Sequence, residues 1–159
     1  RLKTAVLLAA SLKIGARLGG ASVEDADRLY DFGMHIGVAF QLKDDLLDVY
    51  GNAKVFGKNI GGDILCNKKT YMLIKALEHA NADQHNQLNS WINAETFQPA
   101  EKIAAVTELY DRIGVKAVCE NKILEYSNRA MESLAAVSIA EEKKEELKKI
   151  IENLIHREV

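Results

Sequence analysis

Apolar residues recur at helical spacing along nearly the whole chain, and no stretch alternates apolar and polar residues over a useful length. An apolar segment from Leu2 to about Leu18 ends at Gly19-Gly20 and lacks a capping residue at its start. Ser22 with Asp25 predicts the capped start of a second helix, whose acidic first turn suits the helix dipole and which ends at Tyr50, before Gly51. Residues 51–67 read as a loop holding four of the ten glycines, Gly51, Gly57, Gly61 and Gly62. A third helix is expected from about Lys68 to Ala80, capped by Asn67, and then a short segment from Gln87 to Ala94. Pro99 opens a long helical stretch to about Val137 that Gly114 breaks or bends. A last helix is expected to be capped by Ser138 with Glu141, burying Leu147, Ile150, Ile151, Leu154 and Ile155 and leaving the charges of 141–149 in solvent. The fold class is therefore all-α, without repeats or a dividing linker.

Length and composition narrow the function classes. The 159 residues, 48% hydrophobic and 28% charged, suit one globular domain. Twenty-one Lys and Arg stand against 23 Asp and Glu, so the basic stripe of a nucleic-acid surface is not expected. The longest apolar run, Ala5 to Ala10, is too short for a membrane span, and no secretory signal is present. Cys66 and Cys119 lie far apart without zinc spacing and read as free thiols, so the cytoplasm is the expected location.

Candidate chemistry gathers at the end of the second helix, in Phe40-Gln41-Leu42-Lys43-Asp44-Asp45-Leu46-Leu47-Asp48. Asp44 and Asp48 stand one turn apart on one face, where like charges cost a few tenths of a kcal/mol even in solvent. Burial raises that cost unless a cation is present. Magnesium is commonly held by one or two carboxylates, with substrate phosphates completing its shell. An acidic surface patch is the competing reading, and the spacing of a calcium loop is missing. Gly33 and Gly37 share the stripe, where a close helix or a ligand would explain two glycines costing about 1 kcal/mol each. Downstream, Lys58, Lys68 and Lys69 flank the glycines beside Asp63, and lysines offer mobile point charges to phosphate. A metal-diphosphate site follows from the combination. A nucleotide P-loop does not, because Gly51 and Gly57-Lys58 are one residue too far apart and Asn59 replaces Ser or Thr. Lys3-Thr4 adds a further cation and hydroxyl, while His35, His79, His85 and His156 show no metal-like spacing.

Lys3-Thr4-Ala5, Phe40-Gln41-x-x-Asp44-Asp45-x-x-Asp48, Gly57-Lys58 to Gly61, Asp63 and Asn67-Lys68 together closely resemble the trans-isoprenyl diphosphate synthases, of the farnesyl and geranylgeranyl diphosphate synthase type. The resemblance covers residues 1 to about 75. It implies an all-helical isoprenoid synthase bundle around an apolar cavity, a head-to-tail prenyl transfer from an allylic diphosphate to isopentenyl diphosphate, Mg2+ as cofactor, and a homodimeric enzyme. By motif, Asp44, Asp45 and Asp48 would be metal ligands, Asp44 foremost. Lys3, Lys58 and Lys68 would hold the allylic diphosphate. Thr4 and Gln41 would place oxygens near the cation, with Lys3 completing the reaction centre, and Phe40 would border the isopentenyl site. Only one Asp-Asp-x-x-Asp occurs here, whereas the family carries two. Residues 1–159 are therefore expected to form the C-terminal part of one synthase domain, with little turnover alone. A non-catalytic helical subunit of a prenyl synthase complex, and a class I terpene cyclase, are the alternatives.

Overall fold

The computed structural model describes residues 4–51 and 60–155, and these contain helices and turns but no strand. Among the described residues two compact units emerge, one comprising residues 4–43 and 121–155, the other residues 44–51 and 60–120.

In the first unit, α1 (Ala5–Leu18) packs against α2 (Val23–Tyr50), which runs on into the second unit. Ser22 caps α2 as expected, its hydroxyl accepting from the Asp25 N–H at 3.0 Å. The contact between α1 and α2 is backbone on backbone. A Cβ added at Gly33 would lie 2.6 Å from Ala9 Cα, and one at Gly37 would lie 2.6 Å from Ala5 Cα. The glycines thus serve a close helix crossing, with Ala5, Ala9 and Met34 buried at its centre.

The C-terminal part of this unit departs from expectation. Ser138 does not cap the last helix. Its N–H instead donates to Asp25 Oδ1 at 2.9 Å, fastening the segment after α7 (Val115–Ala135) to the first turn of α2. A 3-10 turn (Glu141–Lys143) then precedes α8 (Glu145–Ile155). Lys144 is not solvated: its side chain is 2% exposed and donates to Ala135 O and Glu141 Oε1 at 2.9 and 2.8 Å. Ile151 and Leu154 are buried, but Ile150, expected among them, is 50% exposed. Leu147, Ile151 and Leu154 set the inward stripe of α8, and Ile150 stands at its edge.

The second unit is organised around α6 (Pro99–Ile113), which packs on α3 (Gly62–Leu65), α4 (Tyr71–His79) and α5 (Ala82–Ile92). Met72, Leu73, Leu88, Val106, Leu109 and Tyr110 form its interior. Gly114 ends α6 in the left-handed region, φ 82°, and returns its N–H to Tyr110 and Asp111 before α7 begins at Val115. The expected break is therefore complete. The segment expected over 87–94 begins at Ala82 instead, because Asn81 and Gln84 form a reciprocal capping box.

Asn67 also has a different duty from the one expected. The cap of α4 is Thr70, whose Oγ1 accepts from the Leu73 N–H at 3.1 Å. Asn67 closes α3 instead. It adopts φ 50°, gives its N–H to Ile64 O at 3.2 Å, and the Lys68 N–H reaches Asp63 O at 2.9 Å. This paired closure is the Schellman arrangement, with Asn where Gly is commoner.

Candidate active site

The site builds from α2. Its last turns carry Asp44 and Asp48 half-buried and Asp45 buried. Residues one turn apart share a helix face, so Asp44 and Asp48 look the same way and Asp45 is turned about 100° from them. The structure uses that difference. Asp45 Oδ1 accepts from Lys68 Nζ at 3.0 Å, and Asp63 Oδ2 accepts from the same ammonium at 2.6 Å. Asp48 Oδ2 accepts the Asp63 N–H at 2.9 Å, and its backbone carbonyl accepts the Gly61 N–H at 2.6 Å. The carboxylates of Asp45 and Asp48 are thus tied to the 61–68 segment at two points, with the Asp48 carbonyl as a third tie.

Electrostatics separate these groups. Burial pushes the Asp48 pKa above the usual carboxylate value; the Asp63 N–H opposes this, while the charges of Asp63 and Asp44 add to it. For Lys68, burial alone would lower the pKa, but its bonds to Asp63 and Asp45 outweigh it and hold the group charged above the ordinary lysine range. The arrangement is a crowded anionic face beside one secured cation. Among the described residues no three His, Cys, Asp or Glu side chains are gathered as a ready cage for a metal ion. The donor set nevertheless suits magnesium in part. Two hard carboxylates on one face supply a partial shell, of the kind that substrate phosphates complete.

Behind Lys68 stands a group that the sequence does not advertise. Lys102, in the first turn of α6, is 1% exposed and donates from Nζ to Asn67 Oδ1 at 2.8 Å, with the Phe97 ring centroid 4.2 Å away. Asn67 Nδ2 donates onward to Ile92 O at 2.9 Å. Burial lowers the Lys102 pKa below the ordinary lysine value. A polar residue on the first turn of a helix normally reads as solvated, so no pattern pointed to it. Asp63 was readable beside the lysines, but its double role, backbone donor to Asp48 and carboxylate partner of Lys68, was not.

In the first unit the Thr4 hydroxyl donates to Gln41 Oε1 at 3.3 Å, bringing together the start of α1 and the middle of α2. Thr4 makes no side-chain cap on its own helix. Phe40 is 41% exposed. Lys3 and Lys58 lie outside the described residues.

A family model described as polyprenyl synthetase matches residues 1–110. The chain belongs to the polyprenyl synthetase family. The short chain isoprenyl diphosphate synthase of Methanothermobacter thermautotrophicus is 34% identical over 156 residues, covering 98% of this chain and 47% of that relative. The (2E,6E)-farnesyl diphosphate synthase of Mycobacterium tuberculosis is 30% identical over 159 residues, or 98% of this chain and 44% of its own length. Among solved structures, a geranylgeranyl pyrophosphate synthase superposes with a TM-score of 0.90 at 34% identity, over 99% of this chain and 49% of its own. A second, the geranylgeranyl pyrophosphate synthase from Corynebacterium glutamicum complexed with isoprenyl diphosphate and magnesium, gives a TM-score of 0.87 at 32% identity, over 99% of this chain and 44% of its own. The chain therefore spans just under half the length of the relatives it matches, and its described residues share their all-helical fold. No helix among its described residues is long and apolar enough to cross a membrane.

Proposed function

We propose that this chain carries the second aspartate-rich half of an isoprenyl diphosphate synthase site, serving head-to-tail transfer of a prenyl group from an allylic diphosphate to isopentenyl diphosphate. The observation that carries this reading is the joint placement of Asp44 and Asp48 on one face of α2 with Lys68 held beside them by Asp45 and Asp63. Family membership supplies the reaction class.

In the transfer, the allylic C–O bond breaks and its electron pair leaves with the diphosphate. The double bond of isopentenyl diphosphate then adds to the allylic carbon, and a proton is lost. Magnesium, when bound, supplies charge neutralisation for the departing diphosphate. Asp44 and Asp48 would hold it through hard oxygens, with Asp44 freer because Asp48 already accepts the Asp63 N–H. Lys68, with Lys3 and Lys58, offers ammonium groups to the phosphate oxygens, where charge grows as the bond breaks. Thr4 and Gln41 would face the allylic cation with oxygen atoms, and Phe40 would border the isopentenyl site. The parent enzyme is read as a cytoplasmic homodimer.

Calorimetric titration of the chain with inorganic diphosphate tests the reading. Binding is expected only with MgCl2 present, and Asp44→Asn should weaken it by about tenfold or more, the effect of losing roughly 1.4 kcal/mol. Because only one Asp-Asp-x-x-Asp is available, turnover of both substrates by these 159 residues alone should be slight. Magnesium-independent binding, or none, would leave the chain as an interaction subunit.

A further inference from the structure

We propose that Lys102 is a positioning residue for the diphosphate-facing ammonium of Lys68, acting by clamping Asn67 in its left-handed turn. The role of Lys68 rests on the functional reading above; the clamp itself does not.

The placement of Lys102 is unfavourable twice over. An ammonium removed from water loses its hydration, and a positive charge in the first turn of a helix opposes the helix dipole. Lys102 has both handicaps, being 1% exposed and three residues after Pro99, the first residue of α6. Its hydrogen-bond and ring partners, an amide oxygen at 2.8 Å and an aromatic ring 4.2 Å from Nζ, are neutral groups, and the nearby Cys66 favours the charged form less than burial opposes it. A methionine would fill the same space without the desolvation penalty, so packing gives no reason for a charged group here.

What the ammonium does is fix Asn67 Oδ1. With Asn67 Nδ2 committed to Ile92 O, both ends of the amide are held, one by α6 and one by the end of α5. The clamped residue has φ 50°, a conformation disfavoured for residues other than Gly and only tolerated by Asn. That turn makes the chain double back at the end of α3, so that the Lys68 N–H meets Asp63 O and its Nζ meets Asp45 and Asp63. A cavity of about 20 Å³ borders Asp63, Asn67, Lys68 and Lys102 together, so the four share one interior edge. Lys102, through Asn67, thereby sets where Lys68 points.

The test is a double-mutant cycle on the whole chain, using Lys102→Met and Asn67→Gly. Glycine takes positive φ freely and is the usual residue at this position of the closing motif. Asn67→Gly should therefore keep the turn without the clamp. Two readouts are compared: the Asn67/Gly67 and Lys68 backbone shifts with the nuclear Overhauser contacts between the Lys68 side chain and Asp45, measured without ligand, and Mg-diphosphate binding by calorimetry. Lys102→Met alone should shift the 67–68 signals, lose the contacts, and weaken binding about tenfold. In the Asn67→Gly background it should do neither. Equal effects of Lys102→Met in both backgrounds, or no effect on the 67–68 signals, would overturn the proposal. Should Lys102→Met fail to fold, Asn67→Ala against Asn67→Gly decides it, because both delete the acceptor and only glycine retains the turn; an Ala variant indistinguishable from wild type would overturn the clamp. Absence of wild-type diphosphate binding would refute the functional reading, and the ligand-free signals would still decide the role of Lys102.

Discussion

Three aspartates within five residues divide between two tasks, and their positions on one helix decide which. Asp44 and Asp48 share a face, whereas Asp45 is buried against Lys68 at 3.0 Å. A carboxylate already committed to an ammonium is a poorer ligand for a second cation. Asp45→Asn is therefore expected to leave Mg-diphosphate binding less impaired than Asp44→Asn does. It should cost stability of about 1 kcal/mol, a modest figure because the Lys68 side chain is 45% exposed and its attraction is screened. Calorimetry and urea unfolding of the two variants check this. Loss of binding in Asp45→Asn as severe as in Asp44→Asn would mean that Asp45 also ligates directly.

Among the elements, the crossing of α1 and α2 is where sequence and packing connect most tightly. Replacing a helical glycine by alanine gains up to about 1 kcal/mol in propensity, whereas overpacking costs about 1–3 kcal/mol. Which term wins depends on the space available. At Gly37 the new methyl would meet Ala5 Cα at 2.6 Å and its Cβ at 2.8 Å, so backbone must move. At Gly15, on α1, nothing lies within 4 Å. Gly37→Ala should lower the urea midpoint and Gly15→Ala should raise it; the same sign for both would refute a tight crossing. The all-helical class, the limits of α2 and the break at Gly114 were legible because periodicity and glycine report on backbone alone. The Asn81–Gln84 box was written in the chain as well, yet a polar α5 with few apolar marks hid it. Ser138, Asn67 and Lys102 were not legible. Each is a polar residue whose partner lies elsewhere in the chain, and one-dimensional pattern assigns such residues to the nearest helix end or to solvent. The same reasoning explains the site. Spacing alone put Asp44 and Asp48 on one face, but the pairing of Lys68 with Asp45 and Asp63 depends on a turn that only the folded chain defines.

For the molecule as a whole, near-neutral charge conceals an acid-sensitive set of carboxylates. The Ser138 N–H foremost, with Arg28, holds Asp25 below its usual pKa despite burial. Glu125 is lowered chiefly by its bond to Lys122, and Glu141 falls from 4.5 to about 2 through bonds to Lys144 and Lys148. A carboxylate depressed in the folded state stabilises it fully above the unfolded pKa and loses that contribution as pH falls through the folded value. For Glu141 the loss runs from about pH 4.5 down to about 2. Asp48 has the opposite sign, since its raised pKa means that protonation relieves strain as acid is added. Three groups against one leave acid as the destabilising direction. The melting temperature should hold between pH 7 and 5 and decline steadily below about 4.5. Glu141→Gln should flatten the lower part of that decline, because its amide cannot titrate between Lys144 and Lys148. Melting followed by circular dichroism from pH 7 to 2.5, for wild type and Glu141→Gln, measures both effects. A wild-type melting temperature unchanged between pH 5 and 3 would show that these bonds do not hold the C-terminal turn in solution.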